Sequence, residues 1–307
     1  MIRTTACIGT GIIGASWAVA FSRSVEKVWI WDASAANLAA GKGAIAHALR
    51  LLQDNGAIVS AEEALSRIHA ATSLQEAVTQ SDYIQESVSE ELQLKRKVFA
   101  QLDRLAPRHS LLASSTSEIQ PSTFLEGLPG RDRCLVVHPL NPPHLVPAVE
   151  ICPSTFTAQA RIAEVLAFMR HLGQVPILIN KEVKGFVMNR LQVAVIREAL
   201  HLVKAGYCSA ADVDSAVTQG LGLRWATMGP FETNFLSTRG GYGGFLKAYG
   251  PTLATIAEDL AKDFQFDERL GRDIDEQLRQ RFGTLDHQDR ELSRDRQLIK
   301  LRQLLTG

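Results

Sequence analysis

Up to about Ile179 the chain alternates between short apolar runs and longer stretches in which apolar residues recur at helical spacing. Thr4-Thr5-Ala6-Cys7-Ile8, Lys27-Val28-Trp29-Ile30-Trp31, residues 68–72, Asp82-Tyr83-Ile84-Gln85, Leu111-Leu112-Ala113-Ser114, Cys134-Leu135-Val136-Val137-His138, Ala148-Val149-Glu150-Ile151-Cys152 and Val175-Pro176-Ile177-Leu178-Ile179 read as strands. Helical patterns fall between them over residues 15–21, from 37 to about 67 as one arm, and over 157–172. This alternation predicts a doubly wound α/β domain over residues 1–184. From Gly185 the periodicity is helical only, which predicts an all-α second domain over residues 185–307. Its first helix, over 186–202, is so apolar that most of it should be buried. A further helix covers 212–219, and the glycine- and aromatic-rich stretch 220–233 reads as a loop on which something packs. A charged terminal helix carries Leu298, Leu301, Leu304 and Leu305 as an apolar edge for docking on the domain or on a second subunit.

Composition narrows the partners more than the fold. A chain of 307 residues has room for two cores. With 46% hydrophobic and 21% charged residues it is an ordinary globular protein. Lys plus Arg and Asp plus Glu balance at 33 each, so no bulk field recruits nucleic acid or an anionic membrane, and a small molecule is the expected partner. No apolar run approaches the roughly 20 residues of a membrane span, and the N-terminus lacks the basic and apolar regions of a signal peptide. Cys7, Cys134, Cys152 and Cys208 are scattered without zinc spacing, so they read as reduced thiols, no metal is expected, and the cytoplasm is the expected compartment.

The first apolar run passes directly into Gly9-Thr10-Gly11-Ile12-Ile13-Gly14 and then a helix. Strand, glycine turn and helix in that order give GxGxxG a mechanism, that of a Rossmann-like dinucleotide turn. Gly9 permits the tight turn, Gly11 lets the backbone approach a pyrophosphate, and Gly14 allows close packing of helix on strand. The helix start at Ile12 and Ile13 offers unpaired N–H groups to phosphate. Asp32 ends the next strand, eighteen residues beyond Gly14, where a carboxylate accepts ribose hydroxyls and repels a 2′-phosphate. NAD is therefore expected rather than NADP.

His138 stands at the end of its strand, where prolines stop the apolar run. Twelve residues on, Glu150 lies in a second apolar run, where a lone carboxylate is costly. A carboxylate on one ring nitrogen fixes the tautomer and leaves the other nitrogen to take a proton, so the two read either as a general base with its orienter or as a structural buried pair. Around them, Ser115-Thr116-Ser117 ends a strand with hydroxyls suited to a substrate oxygen or to capping. Glu90 and Lys95 follow another strand end, where they reach the nicotinamide half or merely begin a solvated helix. Asn189 and Arg190 interrupt the long apolar helix near its start. Arg224 is a candidate for a bidentate carboxylate contact, with an ion pair as the alternative.

Taken in order, GTGIIG, ASSTS, HPLNPPHLVPAVE, KEVKGFVMNRLQ and GLGLRWATMGPFET resemble the 3-hydroxyacyl-CoA dehydrogenase superfamily, and within it the L-gulonate 3-dehydrogenase (lambda-crystallin) branch. The resemblance spans nearly the whole chain. It implies that His138 and Glu150 are the catalytic pair, that Ser117 and Asn189 contact substrate, and that Asp32, Glu90 and Lys95 belong to the NAD site. It also implies a homodimer formed through the helical domain. Acyl-CoA members carry a lysine-rich arm after the second strand, whereas the arm here reads Gly41-Lys42-Gly43-Ala44-Ile45-Ala46-His47-Ala48. Together with Arg224-Trp225, this points to oxidation of a free 3-hydroxy acid of the L-gulonate kind. The rivals are a 3-hydroxyacyl-CoA dehydrogenase, a carnitine dehydrogenase using Trp225, Phe231, Tyr242, Phe245 and Tyr249 as an aromatic cage, and a crystallin-like NAD-binding structural protein.

Overall fold

The computed structural model describes every residue except Met1, Asp263, Gln265, Asp267, Thr284, Leu285 and Gly307, and for Arg281, Phe282 and Thr306 only the backbone. Its contacts divide the chain into two units, Met1–Arg190 with Ser293–Gly307, and Leu191–Leu292.

Among the described residues of the first unit, eight strands form one sheet in the order β3-β2-β1-β4-β5-β6-β7-β8. They are β1 (Thr4–Ile8), β2 (Lys27–Trp31), β3 (Ile68–Ala70), β4 (Tyr83–Glu86), β5 (Leu111–Ser114), β6 (Cys134–Pro139), β7 (Ala148–Pro153) and β8 (Val175–Leu178). Every neighbouring pair is parallel except β6 with β7. Central parallel strands are covered on both faces, which is why β4, β5 and β6 are buried from end to end and read in sequence as unbroken apolar runs. On one face Trp17, Phe21, Tyr83 and Phe168 pack ring against ring; elsewhere in the core Phe99 and Phe124 meet at 4.8 Å. Strand order reverses between β1 and β4, and a doubly wound sheet opens its binding crevice at such a reversal.

The arm after β2 is not one helix. Ala35–Asp54 and Ala61–Ser66 are separate, because Gly56 adopts a left-handed φ of 70° and Ser60 caps a new start by accepting from the Glu63 N–H. The stretch 220–233 is also not the expected loop. It forms the short helices Gly222–Trp225 and Pro230–Phe235. Gly222 has helical dihedrals, and a Cβ there would stand 2.8 Å from the Val217 carbonyl oxygen, so the glycine permits a tight helical turn rather than breaking it.

The helix Met188–Lys204 begins in the first unit and continues into the second. Contrary to the burial expected from its sequence, none of its residues is buried within this single chain, and Leu191 is 60% exposed. The terminal helix His287–Thr306 docks on the first unit, through Ile299 rather than the leucines, and Leu304 is exposed. Arg302 donates to the carbonyls of His144 and Gly173, and Gln303 to that of Asn55. Asn55 and Gly173 follow the ends of the helices Ala35–Asp54 and Gln159–His171, and His144 lies in the loop between β6 and β7. Among the described residues no helix is long and apolar enough to cross a membrane.

Candidate active site

The glycine turn connects β1 to the helix Ile12–Ser22, and its spacing is fixed by close approach. Gly9 has φ 92°, and a Cβ on it would meet the Ser87 carbonyl oxygen at 2.6 Å. A Cβ on Gly14 would stand 1.9 Å from the Gly9 carbonyl oxygen. At Gly11 there is open space within 4 Å, on the side where the first-turn N–H groups of Ile12 and Ile13 lack helical partners. Asp32 accepts from the Thr10 N–H at 2.8 Å and from the Ser34 N–H at 2.9 Å, so it ties the turn to the end of β2. A cleft of about 420 Å³ lies alongside, lined by Gly9, Gly11, Trp31, Asp32, Ser87 and Val98 among others. Open backbone at Gly11, a free helix start and a carboxylate at the end of β2 are the features a dinucleotide requires, and the residues present fit NAD.

His138 and Glu150 are register partners across the antiparallel β6–β7 pair, so their side chains leave the sheet on the same face. His138 Nδ1 lies 2.7 Å from Glu150 Oε2, and both residues are buried. The other oxygen, Oε1, accepts from the backbone N–H groups of Val187 at 2.6 Å and Met188 at 2.8 Å. Val187 immediately precedes and Met188 begins the helix Met188–Lys204, whose positive end suits a carboxylate. The approach to that helix is bent by Gly185 at φ 73° and Phe186 at φ 50°, the latter a non-glycine residue in a left-handed conformation that costs roughly 1–2 kcal/mol. Phe186 is fully buried, and its ring centroid lies 5.4 Å from that of His138. A carboxylate can only accept, so Nδ1 donates to Glu150, and in the neutral imidazole the lone pair then sits on Nε2.

Ser117 is exposed. Its carbonyl accepts from Asn189 Nδ2 at 2.9 Å, and its N–H donates to Glu90 Oε1 at 3.0 Å. Glu90 also accepts from the Thr116 hydroxyl and the Glu118 N–H. Lys95 is 1% exposed and bonds both oxygens of Glu86, at 3.0 and 3.2 Å, with Glu90 Oε2 at 3.3 Å. Burial pushes the Glu90 carboxyl up, but the Thr116 hydroxyl, the Lys95 charge and the Glu118 N–H outweigh it and hold it below the usual carboxylate range. Among the expected site residues, His138, Glu150, Ser117, Asn189, Glu90, Lys95 and the glycine turn with Asp32 all lie in the first unit. Arg224 belongs to the second, where it is exposed on the helix Gly222–Trp225.

The structure adds residues that the sequence does not single out. Glu86, which follows the expected strand 82–85, is the last residue of β4 and is buried beside Lys95, nine residues on. At Gly41 a Cβ would meet the Thr10 carbonyl oxygen at 2.6 Å, so the arm needs a glycine to rest on the cofactor turn. The backbone groups of Val187 and Met188 have no side-chain signature.

Residues 4–183 match the NAD binding domain of 3-hydroxyacyl-CoA dehydrogenase, and residues 185–272 match the C-terminal domain of that family. A lambda-crystallin homolog from Bos taurus is 40% identical over 80% of this chain and 81% of its own. An L-carnitine dehydrogenase from Streptomyces griseus is 38% identical over 83% of this chain and 76% of its own. Among solved structures, an NAD+-dependent dismutase, 5-formyl-3-hydroxy-2-methylpyridine 4-carboxylic acid 5-dehydrogenase, superposes with a TM-score of 0.85 at 25% identity over 100% of this chain and 99% of that one. The 3-hydroxybutyryl-CoA dehydrogenase of Escherichia coli superposes with a TM-score of 0.67 at 26% identity over 77% of this chain and 49% of that one. With its glycine turn, its strand order and both family domains in sequence, the chain belongs to the NAD-dependent 3-hydroxyacyl-CoA dehydrogenase family.

Proposed function

We propose that the protein oxidises a small free 3-hydroxy acid, of the L-gulonate kind, to the 3-oxo acid. NAD, held by the glycine turn, the start of the helix Ile12–Ser22 and Asp32, supplies the hydride acceptor when bound. His138 Nε2 takes the proton of the substrate hydroxyl, and Glu150 stabilises the imidazolium that results. The Ser117 hydroxyl orients the reacting oxygen, and Asn189 works through Ser117, whose carbonyl takes its amide N–H. In the reverse direction His138 returns the proton.

The observation that carries the acid–base assignment is the double fixing of Glu150, one oxygen on His138 and the other on two backbone N–H groups. With Nδ1 on Glu150, the neutral ring has only Nε2 left to take a proton, and the fixed carboxylate holds the ring in that orientation. Choice of a free acid over a CoA thioester rests on the arm, where the helix Ala35–Asp54 carries only Lys42 and Arg50 as fixed cations, too few for the phosphates of CoA. Carnitine remains the second substrate, because an L-carnitine dehydrogenase is among the relatives. Of the aromatics expected as a cage, Tyr242, Phe245 and Tyr249 follow one another along one helix with centroids 5.8 and 5.4 Å apart, and Phe231 meets Tyr242 from a second helix at 5.6 Å.

The apolar face of the helix Met188–Lys204 is the support for a homodimer, in which a second copy covers Leu191 and its neighbours. Sedimentation at micromolar concentration should then give twice the chain mass. NADH formation with L-gulonate, L-carnitine and 3-hydroxybutyrate, compared with acetoacetyl-CoA reduction, tests the substrate. Preference for L-gulonate supports the reading, and preference for the CoA thioester overturns it.

A further inference from the structure

Apart from the cofactor cleft, a cavity of about 170 Å³ lies against the terminal helix His287–Thr306, a segment beyond the residues that match the family's C-terminal domain. Arg23, just past the helix Ile12–Ser22, lines it together with His144 and Leu145 of the β6–β7 loop and Ile299, Arg302 and Gln303 of the terminal helix. No acid lines it among the described residues. Arg302 is placed by the carbonyls of His144 and Gly173. Burial and then the charge of Arg23 lower its pKa, so the two guanidiniums stand close enough to repel each other. The side chain of Arg23 has no hydrogen bond or ion pair among the described residues. His144 is only 7% exposed, and Ser16 Oγ accepts its backbone N–H and shares a 2.5 Å hydrogen bond with its Nδ1. With the hydroxyl proton given to Nδ1, the neutral ring bears its own proton on Nε2, the nitrogen without a protein partner.

We propose that this cavity is a site for one small divalent oxyanion, sulfate or inorganic phosphate, held by the guanidiniums of Arg23 and Arg302 and by His144 Nε2. Two cations and a buried N–H donor face one small space with no acid between them, and an oxyanion turns their mutual repulsion into charge-assisted hydrogen bonds. The cavity is small beside the roughly 300–1,000 Å³ of sites for drug-sized ligands, so a free ion fits it better than the phosphate group of a larger metabolite. Bound there, the ion joins the terminal helix to the β6–β7 loop and to the end of the helix Ile12–Ser22. The site is independent of the dehydrogenase reading.

The test uses the full chain saturated with NAD+, so that no anion occupies the diphosphate position at the glycine turn. Sulfate and phosphate binding are measured by calorimetry at constant ionic strength in wild type and in Arg23→Gln. The His144 ring is followed by NMR through an acid titration of the wild type with and without sulfate, a readout that does not depend on the variant folding. Wild type should bind one ion per chain, and Arg23→Gln should bind it at least about tenfold more weakly. Sulfate should move the His144 titration to higher pH, because a neighbouring anion favours the imidazolium. Sulfate stabilises proteins in general by exclusion, so melting temperatures are compared between the two proteins at equal salt. Arg23→Gln should melt no lower than wild type without sulfate, having lost a repulsion, and lower with it, having lost a ligand. Glycerol 3-phosphate should bind at least about tenfold more weakly than inorganic phosphate; equal or tighter binding would overturn the assignment to a free ion. Absence of saturable binding, an affinity unchanged in Arg23→Gln, or a His144 titration that sulfate leaves in place would each overturn the site.

Discussion

Glu150 lies directly across the β6–β7 ladder from His138, with Oε2 2.7 Å from Nδ1 and Oε1 on the N–H groups of Val187 and Met188. Every donor faces an acceptor only while the side chain is a carboxylate. In Glu150→Gln the amide NH2 must point either at an imidazole N–H or at two backbone N–H groups. The variant should lose about 10²- to 10⁴-fold in kcat, with NAD+ affinity retained and the melting temperature lowered. Wild-type turnover would mean that the pair serves packing.

The glycine turn makes a paired prediction. Gly14→Ala places a methyl against the Gly9 carbonyl, so it should destabilise the fold itself. Gly11→Ala meets nothing within 4 Å and should melt like wild type, yet bind NAD+ at least about tenfold more weakly, because the methyl occupies the approach of the pyrophosphate. Normal NAD+ binding by Gly11→Ala would place the diphosphate elsewhere.

Asp32 accepts from Thr10 and Ser34 and lines the cleft, where it disfavours a 2′-phosphate. Asp32→Ser should narrow the gap between NAD+ and NADP+ affinities. An unchanged ratio of the two dissociation constants would refute its role in cofactor choice.

Stability should depend on pH through His144, which shares a 2.5 Å hydrogen bond with the Ser16 hydroxyl. Burial, and then the charges of Arg23, Arg302 and Arg294, push its pKa down to about 4, whereas an unfolded histidine titrates near 6.5. The folded state thus binds fewer protons between those values. The stability contributed by neutral His144 is complete above pH of about 6.5 and is lost as pH falls toward 4, by at most about 3 kcal/mol. Urea unfolding of wild type and His144→Gln over that range should give slopes that differ by this titration. Parallel curves would show that His144 does not titrate as described.

The first unit was legible because its strands are buried on both faces and its turns carry glycine where a Cβ would collide. The His138–Glu150 pair was legible for a related reason, since a lone acid in an apolar run demands a partner. Hidden from sequence was what the backbone does. The two N–H groups that hold Glu150 come from Val187 and Met188, whose side chains say nothing about them, and the Ser117 loop is pinned mainly through amides. The stretch 220–233 misled because glycine at 222 serves close helical packing rather than a turn. The long helix Met188–Lys204 was expected to be buried, and its apolar residues are exposed within one chain. Periodicity reports that a face is to be covered, not whether the cover comes from the same molecule.

In the proposed reaction His138 Nε2 takes the proton of the substrate hydroxyl. NAD+ binding and steady-state turnover of His138→Gln decide it, since glutamine fills the space of the ring without a titrating nitrogen. Unchanged NAD+ affinity with kcat reduced by about 10²- to 10⁴-fold is the expected result. Turnover near the wild-type rate with NAD+ still bound would contradict the account.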